Sequence, residues 1–121
     1  MDPRDHLPLS VPVYQILLSL INQEAHGYAI IQDIRDRTGG EVTLTASTLY
    51  AAVRRLRDVG MIEEPDQRPV DDPDPRRRYY RMTAFGGAVV KAEAERLERQ
   101  VAMAREKRLL SGPGAQAEGH R

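Results

Sequence analysis

The sequence predicts a mainly α-helical fold that carries one small β-hairpin. Four segments place apolar residues at the three- and four-residue spacing of amphipathic helices. A loop rich in Pro and Asp over residues 65–75 separates two short segments that suit β-strands. The 121 residues are enough for one domain with a modest core. The composition, 40% hydrophobic and 30% charged, is typical of a globular protein.

The first two predicted helices are short and amphipathic. Ser10 can cap a helix that ends near Asn22, and the apolar face of this helix comprises Val13, Ile16, Leu17, Leu20 and Ile21. A second helix begins near Gly27 and turns Ile30, Ile31 and Ile34 toward a core. It stops at Gly39-Gly40, because glycine readily adopts the left-handed backbone that ends a helix.

The third predicted helix has one core face and one open face. Residues 41–45 suit a brief strand or an extended turn, and Thr45 is a good N-cap for a helix over residues 46–59. One stripe of this helix comprises Leu49, Val53 and Leu56. The opposite stripe comprises Ser47, Ala51, Arg54 and Asp58. We expect the first stripe to be buried and the second to be available for binding.

The remaining elements are the hairpin and one long helix. Gly60 ends the third helix, Met61-Ile62 opens a strand, and residues 77–83 suit the returning strand. A helix of roughly 22 to 25 residues then starts at Ala84. Its apolar seam comprises Val90, Ala94, Leu97, Val101 and Ala104. We expect this seam to form a homodimer interface, shared with Met103, Leu109, Leu110 and the first helix, although a packing stripe within one chain is the alternative.

Composition disfavours several classes of protein. The longest apolar run, residues 16–21, is broken by Ser19, and no segment approaches the roughly 20 apolar residues that cross a bilayer. No secretory signal is evident, so we expect a cytoplasmic protein with no membrane partner. Cysteine is absent and His6, His26 and His120 lack ligand spacing, so we expect no metal and no cofactor. No nucleophile or paired carboxylates stand at a catalytic spacing, so we do not expect an enzyme.

A set of short motifs, in order along the chain, resembles the PadR-like family of transcriptional regulators. The motifs are residues 26–28 (HGY), 47–56 (STLYAAVRRL), 60–62 (GMI), 79–83 (YYRMT) and Gly86. The resemblance covers about residues 9–109. It implies a winged helix-turn-helix with a single long C-terminal dimerisation helix, as in the shorter branch of the family. It also implies operator binding, and often repression that a small aromatic or drug-like effector relieves.

This resemblance divides the chain into a winged helix-turn-helix DNA-binding domain (1–83) and a C-terminal dimerisation helix (84–110). The last segment, residues 111–121, is rich in Gly, Ala and polar residues, so we expect a disordered tail. Two features depart from the family pattern. Ala51 stands where the family often has proline, and the hairpin turn is acidic and rich in proline. Asp71, Asp72 and Asp74 would repel phosphate if the tip of the wing approached DNA.

The candidate DNA-binding residues lie on the third helix and at the start of the returning strand. Ser47 and Thr48 can donate to phosphate near the positive end of the helix dipole. The hydroxyl of Tyr50 can reach the backbone, and Arg54 can read a base. The full set is Ser47, Thr48, Tyr50, Arg54, Arg55, Arg76, Arg77 and Arg78. The formal net charge is zero, so any basic surface must be local.

Each assignment has a simpler alternative. The open face of the third helix could be an ordinary solvated face, and Arg76, Arg77 and Arg78 could neutralise the acidic residues 66–74. Tyr28, Tyr79 and Tyr80 could stack on an effector, but we expect Tyr28 and Tyr80 to lie in the core. The rival functions are a protein-interaction module and a small-molecule-binding module, both on the same scaffold without specific DNA binding.

Overall fold

The computed structural model of this chain describes residues 2–67, 69 and 71–111. The tail predicted over residues 111–121 lies outside the described residues from residue 112 onward. The elements are a 3₁₀ helix (Pro3–His6), α1 (Val11–Ser19), β1 (Ala25–His26), α2 (Gly27–Arg37), α3 (Ala46–Asp58), β2 (Ile62–Glu63), β3 (Tyr79–Met82) and α4 (Ala84–Glu106). The predicted mainly α fold with a small hairpin is confirmed.

Each helix begins at a capping side chain. Ser10, Thr45 and Thr83 accept hydrogen bonds from the backbone N–H groups three residues ahead, at 3.4, 3.1 and 3.0 Å. His26 caps α2 in the same way, because its Nδ1 accepts from the N–H of Ala29 at 3.2 Å. Gly60, which follows α3, has a positive φ of 81°, as a left-handed helix stop requires. The caps explain why the helix starts could be predicted from sequence.

The sheet has one strand more than the sequence predicts. β3 lies in the centre and pairs antiparallel with both β2 and β1. In β1 the two residues Ala25 and His26 lie opposite Tyr80 and Tyr79. Two residues give no alternating pattern, so β1 has no signal in the sequence. Residues 41–45 form an extended turn and no strand, which settles the alternative that the sequence left open.

The core contains the whole predicted stripe of α3 and parts of the predicted stripes of the other three helices. Ile21 is exposed, and only Val90 of the predicted α4 seam is buried. Its buried residues are Ile16, Leu17, Leu20, Ala25, Ile30, Ile34, Leu44, Leu49, Ala52, Val53, Leu56, Met61, Ile62, Tyr80, Val89 and Val90. Tyr80 is buried, as expected. Tyr28 is 63% exposed, so the expectation that it lies in the core is wrong. The reason is helical geometry: Ile30 faces the core, and a residue two positions away lies on the opposite side of the helix.

A close backbone contact fixes the hairpin to α4. A Cβ on Gly86, in the first turn of α4, would collide with the carbonyl oxygen of Met61, just before β2. The N–H of Thr83 donates to that same carbonyl at 3.0 Å. The start of β2 and the start of α4 are therefore held together by backbone atoms.

The two halves of α4 differ in burial. Val89, Val90 and Glu93 are buried, and beyond them most of the helix is exposed. The Glu93 carboxylate accepts from the N–H of Leu9 at 2.9 Å and from Arg96 Nε at 2.6 Å. The hydrogen bond from Arg96 is the main reason that the pKa of Glu93 is lowered. Glu93 thus holds the N-terminal arm against α4, a contact with no counterpart in the sequence prediction.

The predicted seam on α4 is divided between these halves. Val90 lies in the core of this chain, so it is not on a surface that a partner could contact, and its assignment to the dimer interface is corrected. Its place is fixed because the first half of α4 packs on α1 and on the 3₁₀ helix. Ala94 and Val101 are exposed, and Leu97 and Ala104 are partly exposed.

Candidate nucleic-acid interface

The exposed face of α3 carries the predicted DNA-binding side chains of this helix. Leu49, Ala52, Val53 and Leu56 are buried beneath it. Ser47, Thr48, Tyr50, Arg54 and Arg55 are exposed on it. The division follows the period of the helix, so the predicted open stripe is confirmed as a surface. The side chain of Thr45 caps the helix just below Ser47 and Thr48.

The N-terminus of α2 lies against α3 at Tyr50. A Cβ on Gly27 would overlap the hydroxyl end of Tyr50, so a larger residue at this position would displace the Tyr50 side chain. Tyr50 stays 45% exposed. The neighbouring Tyr28 side chain points into solvent, and its hydroxyl accepts from Gln32 Nε2 at 2.9 Å. Two tyrosine hydroxyls therefore stand at the junction of α2 and α3.

A groove of about 450 Å³ lies between this junction and the residues that precede β3. We call residues 71–78 the wing loop. The groove is lined by His26, Gly27, Tyr28, Tyr50, Asp74, Arg76, Arg77, Arg78 and Tyr80. The fold thus brings the three predicted wing arginines beside Tyr50 of α3, although about 25 residues of sequence separate them.

The arginines of α3 and of the wing loop have different surroundings. No carboxylate of a described residue forms an ion pair with Arg54 or Arg55, whereas Arg57 at the end of α3 contacts Glu64 at 2.9 Å. Each of the wing arginines has an acidic neighbour. The pairs are Arg76–Asp74 at 3.4 Å, Arg77–Asp72 at 3.3 Å and Arg78–Glu64 at 3.7 Å. Local neutralisation, the simpler alternative for the wing arginines, is therefore present in part.

The groove also contains a histidine with a shifted pKa. Burial lowers the pKa of His26, and the positive charge of Arg77 lowers it further, while Asp72 opposes the shift. The neutral ring uses Nδ1 as an acceptor to cap α2. The ring also packs edge-to-face on Tyr79, with 5.3 Å between the ring centres.

Comparison with known proteins identifies the family. The family model described as "Transcriptional regulator PadR-like family" matches residues 16–92. The chain belongs to the PadR-like family of transcriptional regulators. The match includes α2, α3 and the hairpin in full, with the end of α1 and the first part of α4. The family resemblance predicted from the motifs is therefore confirmed.

The chain is also similar to a curated sequence and to several solved structures. An uncharacterised protein of Lysinibacillus sphaericus is 36% identical over 73 residues, which are 60% of this chain and 65% of that protein. A transcriptional regulator from Clostridium thermocellum has a TM-score of 0.64 and 29% identity, covering 78% of this chain and 87% of the other. A PadR family regulator from Clostridium difficile has a TM-score of 0.69 and 21% identity, covering 80% and 97%.

One of the similar structures is described as Bacillus subtilis PadR in complex with operator DNA. It has a TM-score of 0.58 and 23% identity, and it covers 74% of this chain and 48% of that one. These similarities confirm the winged helix-turn-helix fold with a long C-terminal helix. Within the described residues, no helix is both long and apolar enough to cross a membrane.

The sequence prediction missed several residues of this interface. Gly27 and Tyr28 lie in the HGY motif, so the motif that revealed the family also marked the junction of α2 and α3. Glu64, which contacts both Arg57 and Arg78, had no such signal. Asp72 was expected to repel DNA, and its role inside the wing loop depends on contacts that only the folded chain makes.

Proposed function

We propose that this PadR-like protein binds double-stranded operator DNA as a homodimer, with α3 in the major groove and the wing arginines on the DNA backbone. The observation that carries the proposal is the exposed face of α3, on which Arg54 and Arg55 have no acidic partner among the described residues. Unpaired arginines can contact DNA without first breaking an ion pair. The similar structure of Bacillus subtilis PadR is described as a complex with operator DNA, which supports DNA binding by this fold.

Each residue of the α3 face has a proposed role. Ser47 and Thr48 donate to a phosphate near the N-terminus of α3, where the helix dipole favours an anion. The hydroxyl of Tyr50 contacts the backbone from the edge of the groove. Arg54 reads a base, because a guanidinium can donate two hydrogen bonds to guanine, and Arg55 adds a phosphate contact.

The second half of α4 supplies the proposed dimer interface. Ala94, Leu97, Val101 and Ala104 form its seam, now without Val90. Large apolar side chains beyond and beside the seam support the proposal: Met103 and Leu110 are exposed, and Leu109 is 77% exposed. A two-fold dimer would place its recognition helices in successive major grooves, about 34 to 36 Å apart.

We propose that DNA binding represses transcription and that a small aromatic or drug-like effector relieves it. The family resemblance supports this part. A ligand bound between subunits would favour a dimer with a different separation of the two α3 helices, and so lower the affinity for the operator.

The test is fluorescence anisotropy of the purified chain against a selected pool of genomic DNA, titrated from low to moderate salt. We expect tight, sequence-dependent binding with a steep salt dependence. Arg54→Ala should weaken binding to the selected site by about 1 to 3 kcal/mol and relax specificity at one position. Arg99→Ala is the matched control, because it removes the same charge from an exposed position on α4.

Two results would contradict the proposal. If the chain binds no DNA at low salt, the scaffold serves protein partners or small molecules instead. If binding is tight but Arg54→Ala behaves like Arg99→Ala, the interface is on another face of the protein.

A further inference from the structure

The wing loop contains a carboxylate that is completely buried. The side chain of Asp72 is 0% exposed, whereas its neighbour Asp71 is exposed. Burial of a carboxylate is costly unless donors satisfy its oxygens. Asp72 must therefore be stabilised by hydrogen-bond donors in its surroundings.

Among the described residues, the hydrogen-bond donors that converge on Asp72 include two side chains and one backbone N–H. The hydroxyl of Tyr79 donates to Oδ2, Arg77 Nη1 donates to Oδ1 at 3.3 Å, and the N–H of Asp74 donates to Oδ1 at 2.9 Å. The hydrogen bond to Asp72 is the main reason that the pKa of Tyr79 is raised. The donors come from the loop itself, from its last residues and from β3. One carboxylate thus links the first residues of the wing loop to its last residues and to β3.

The same contacts attach the wing loop to α2. Tyr79 pairs with His26 in the sheet and packs its ring on the imidazole. His26 is also the N-cap of α2, next to Gly27 and Tyr28 in the groove. Asp72 is therefore joined, through Tyr79 and His26, to the helix junction beside α3.

We propose that Asp72 is a positioning residue for DNA binding, which holds Arg76, Arg77 and Arg78 over the groove so that they can meet the phosphate backbone. It does not contact DNA itself. This inference rests on the proposed function, because the wing arginines matter only if this face binds DNA.

Simple electrostatics predicts the opposite effect. A carboxylate near a polyanion repels it, so removing the carboxylate should strengthen binding. For an exposed residue such as Asp71 we therefore expect that removing the carboxylate strengthens DNA binding. At Asp72, loss of the charge also removes the contacts that hold the wing loop. The wing arginines must then become ordered when they bind DNA, and the conformational entropy lost in this step lowers the affinity.

The experiment compares Asp72→Asn with Asp71→Asn in the full chain, by anisotropy on the selected site across a range of salt. We expect Asp72→Asn to weaken binding roughly three- to tenfold and to lower the slope of log affinity against log salt by about 1 to 2, as if one or two phosphate contacts were lost. Asp71→Asn should bind as tightly as the unmodified chain, or more tightly.

Two further variants separate positioning from folding. Tyr79→Phe keeps the ring against His26 and removes only one donor to Asp72. It should lower the DNA affinity and the salt slope as Asp72→Asn does, but by a smaller amount. Arg77→Ala should cost less in the Asp72→Asn background than in the unmodified chain, because the two residues act through one contact. If Asp72→Asn fails to fold, Tyr79→Phe carries the test.

The outcomes are distinct. Binding by Asp72→Asn that is unchanged or tighter overturns the positioning role, and so does weaker binding with an unchanged salt slope. An unmodified chain that binds no DNA at low salt overturns the proposed function and this inference together.

Discussion

The arginines of α3 and those of the wing loop are the same residue type on the same face, but the fold prepares them differently. Arg54 and Arg55 extend from a rigid helix and form no ion pair with any described residue. Arg76, Arg77 and Arg78 follow an acidic loop, and each lies within 4 Å of a carboxylate oxygen. The first pair is positioned by its helix, whereas the second group is positioned by its counterions.

The difference teaches that acidic residues beside a DNA-binding surface are not all repulsive. Exposed ion pairs contribute little to stability, so a pair such as Arg76–Asp74 can exchange its partner for phosphate at small cost. A buried carboxylate such as Asp72 instead organises the backbone around it. The neutral net charge of the chain is therefore compatible with a basic surface that forms locally.

The largest expected effect is a loss of DNA affinity that distinguishes phosphate contacts of the wing loop from base contacts of α3. The double variant Arg76→Ala/Arg78→Ala removes two proposed phosphate contacts, so we expect the salt slope to fall by about 1.8. Affinity should fall by the same factor on the selected site and on random DNA, unlike the loss in Arg54→Ala. Anisotropy titrations on the selected site and on random DNA measure the affinity and the salt slope. A loss confined to the selected site would show that the wing reads bases.

An intermediate effect is expected at Glu64, which contacts Arg57 of α3 and Arg78 of the wing loop. Glu64→Gln should release both arginines, raise affinity for random DNA a few-fold and steepen the salt slope by about 1. Stability should change by less than about 1 kcal/mol, because Glu64 is partly exposed and both arginines are exposed to solvent.

The matched control for this variant is Glu63→Gln, which removes the same charge but releases Arg81 of β3. Salt titrations compare the DNA affinity and the salt slope of the Glu64→Gln and Glu63→Gln variants. Equal effects would mean that net charge, and not the release of Arg57 and Arg78, controls binding.

The smallest effect concerns pH and His26. The pKa of His26 is lowered in the folded chain, so the unfolded chain takes up a proton first as pH falls below about 6.5. The free energy of unfolding should therefore decrease between pH 6.5 and the folded pKa and level off below it. Burial and Arg77 cause the shift, and Asp72 opposes it.

His26→Asn keeps an N-cap and removes the titrating ring, so this part of the pH dependence should disappear. Urea unfolding of both proteins from pH 8 to pH 5.5 checks it, since carboxylates titrate mainly at lower pH. An identical pH dependence in the two proteins would contradict the assignment to His26.

Most of the fold could be predicted because its signals are local. Ser10 and Thr45 mark helix starts, Gly60 marks a stop, and the four helices repeat apolar residues at helical spacing. β1 could not be predicted, because two residues form a strand only when β3 is beside them. The expectation that Tyr28 lies in the core is wrong, because it rested on the apolar character of the ring and not on the helical position of Tyr28 opposite Ile30.

Only part of the candidate site could be predicted from the sequence, for the same reason. The open face of α3, with Ser47, Thr48 and Arg54, follows from the helical period alone. Which arginines carry counterions does not follow from sequence, because Glu64 reaches Arg57 and Arg78 only after the chain has folded.

By itself the sequence determined four helices, the N-caps Ser10 and Thr45, the two faces of α3 and membership of the PadR-like family, because these depend on neighbours within a few residues or on ordered motifs. Tertiary structure alone decided that Val90 belongs to the core, that Glu93 holds the N-terminal arm and that Asp72 is buried within the wing loop. The physical reason is that burial and ion pairing depend on groups brought together from distant parts of the chain.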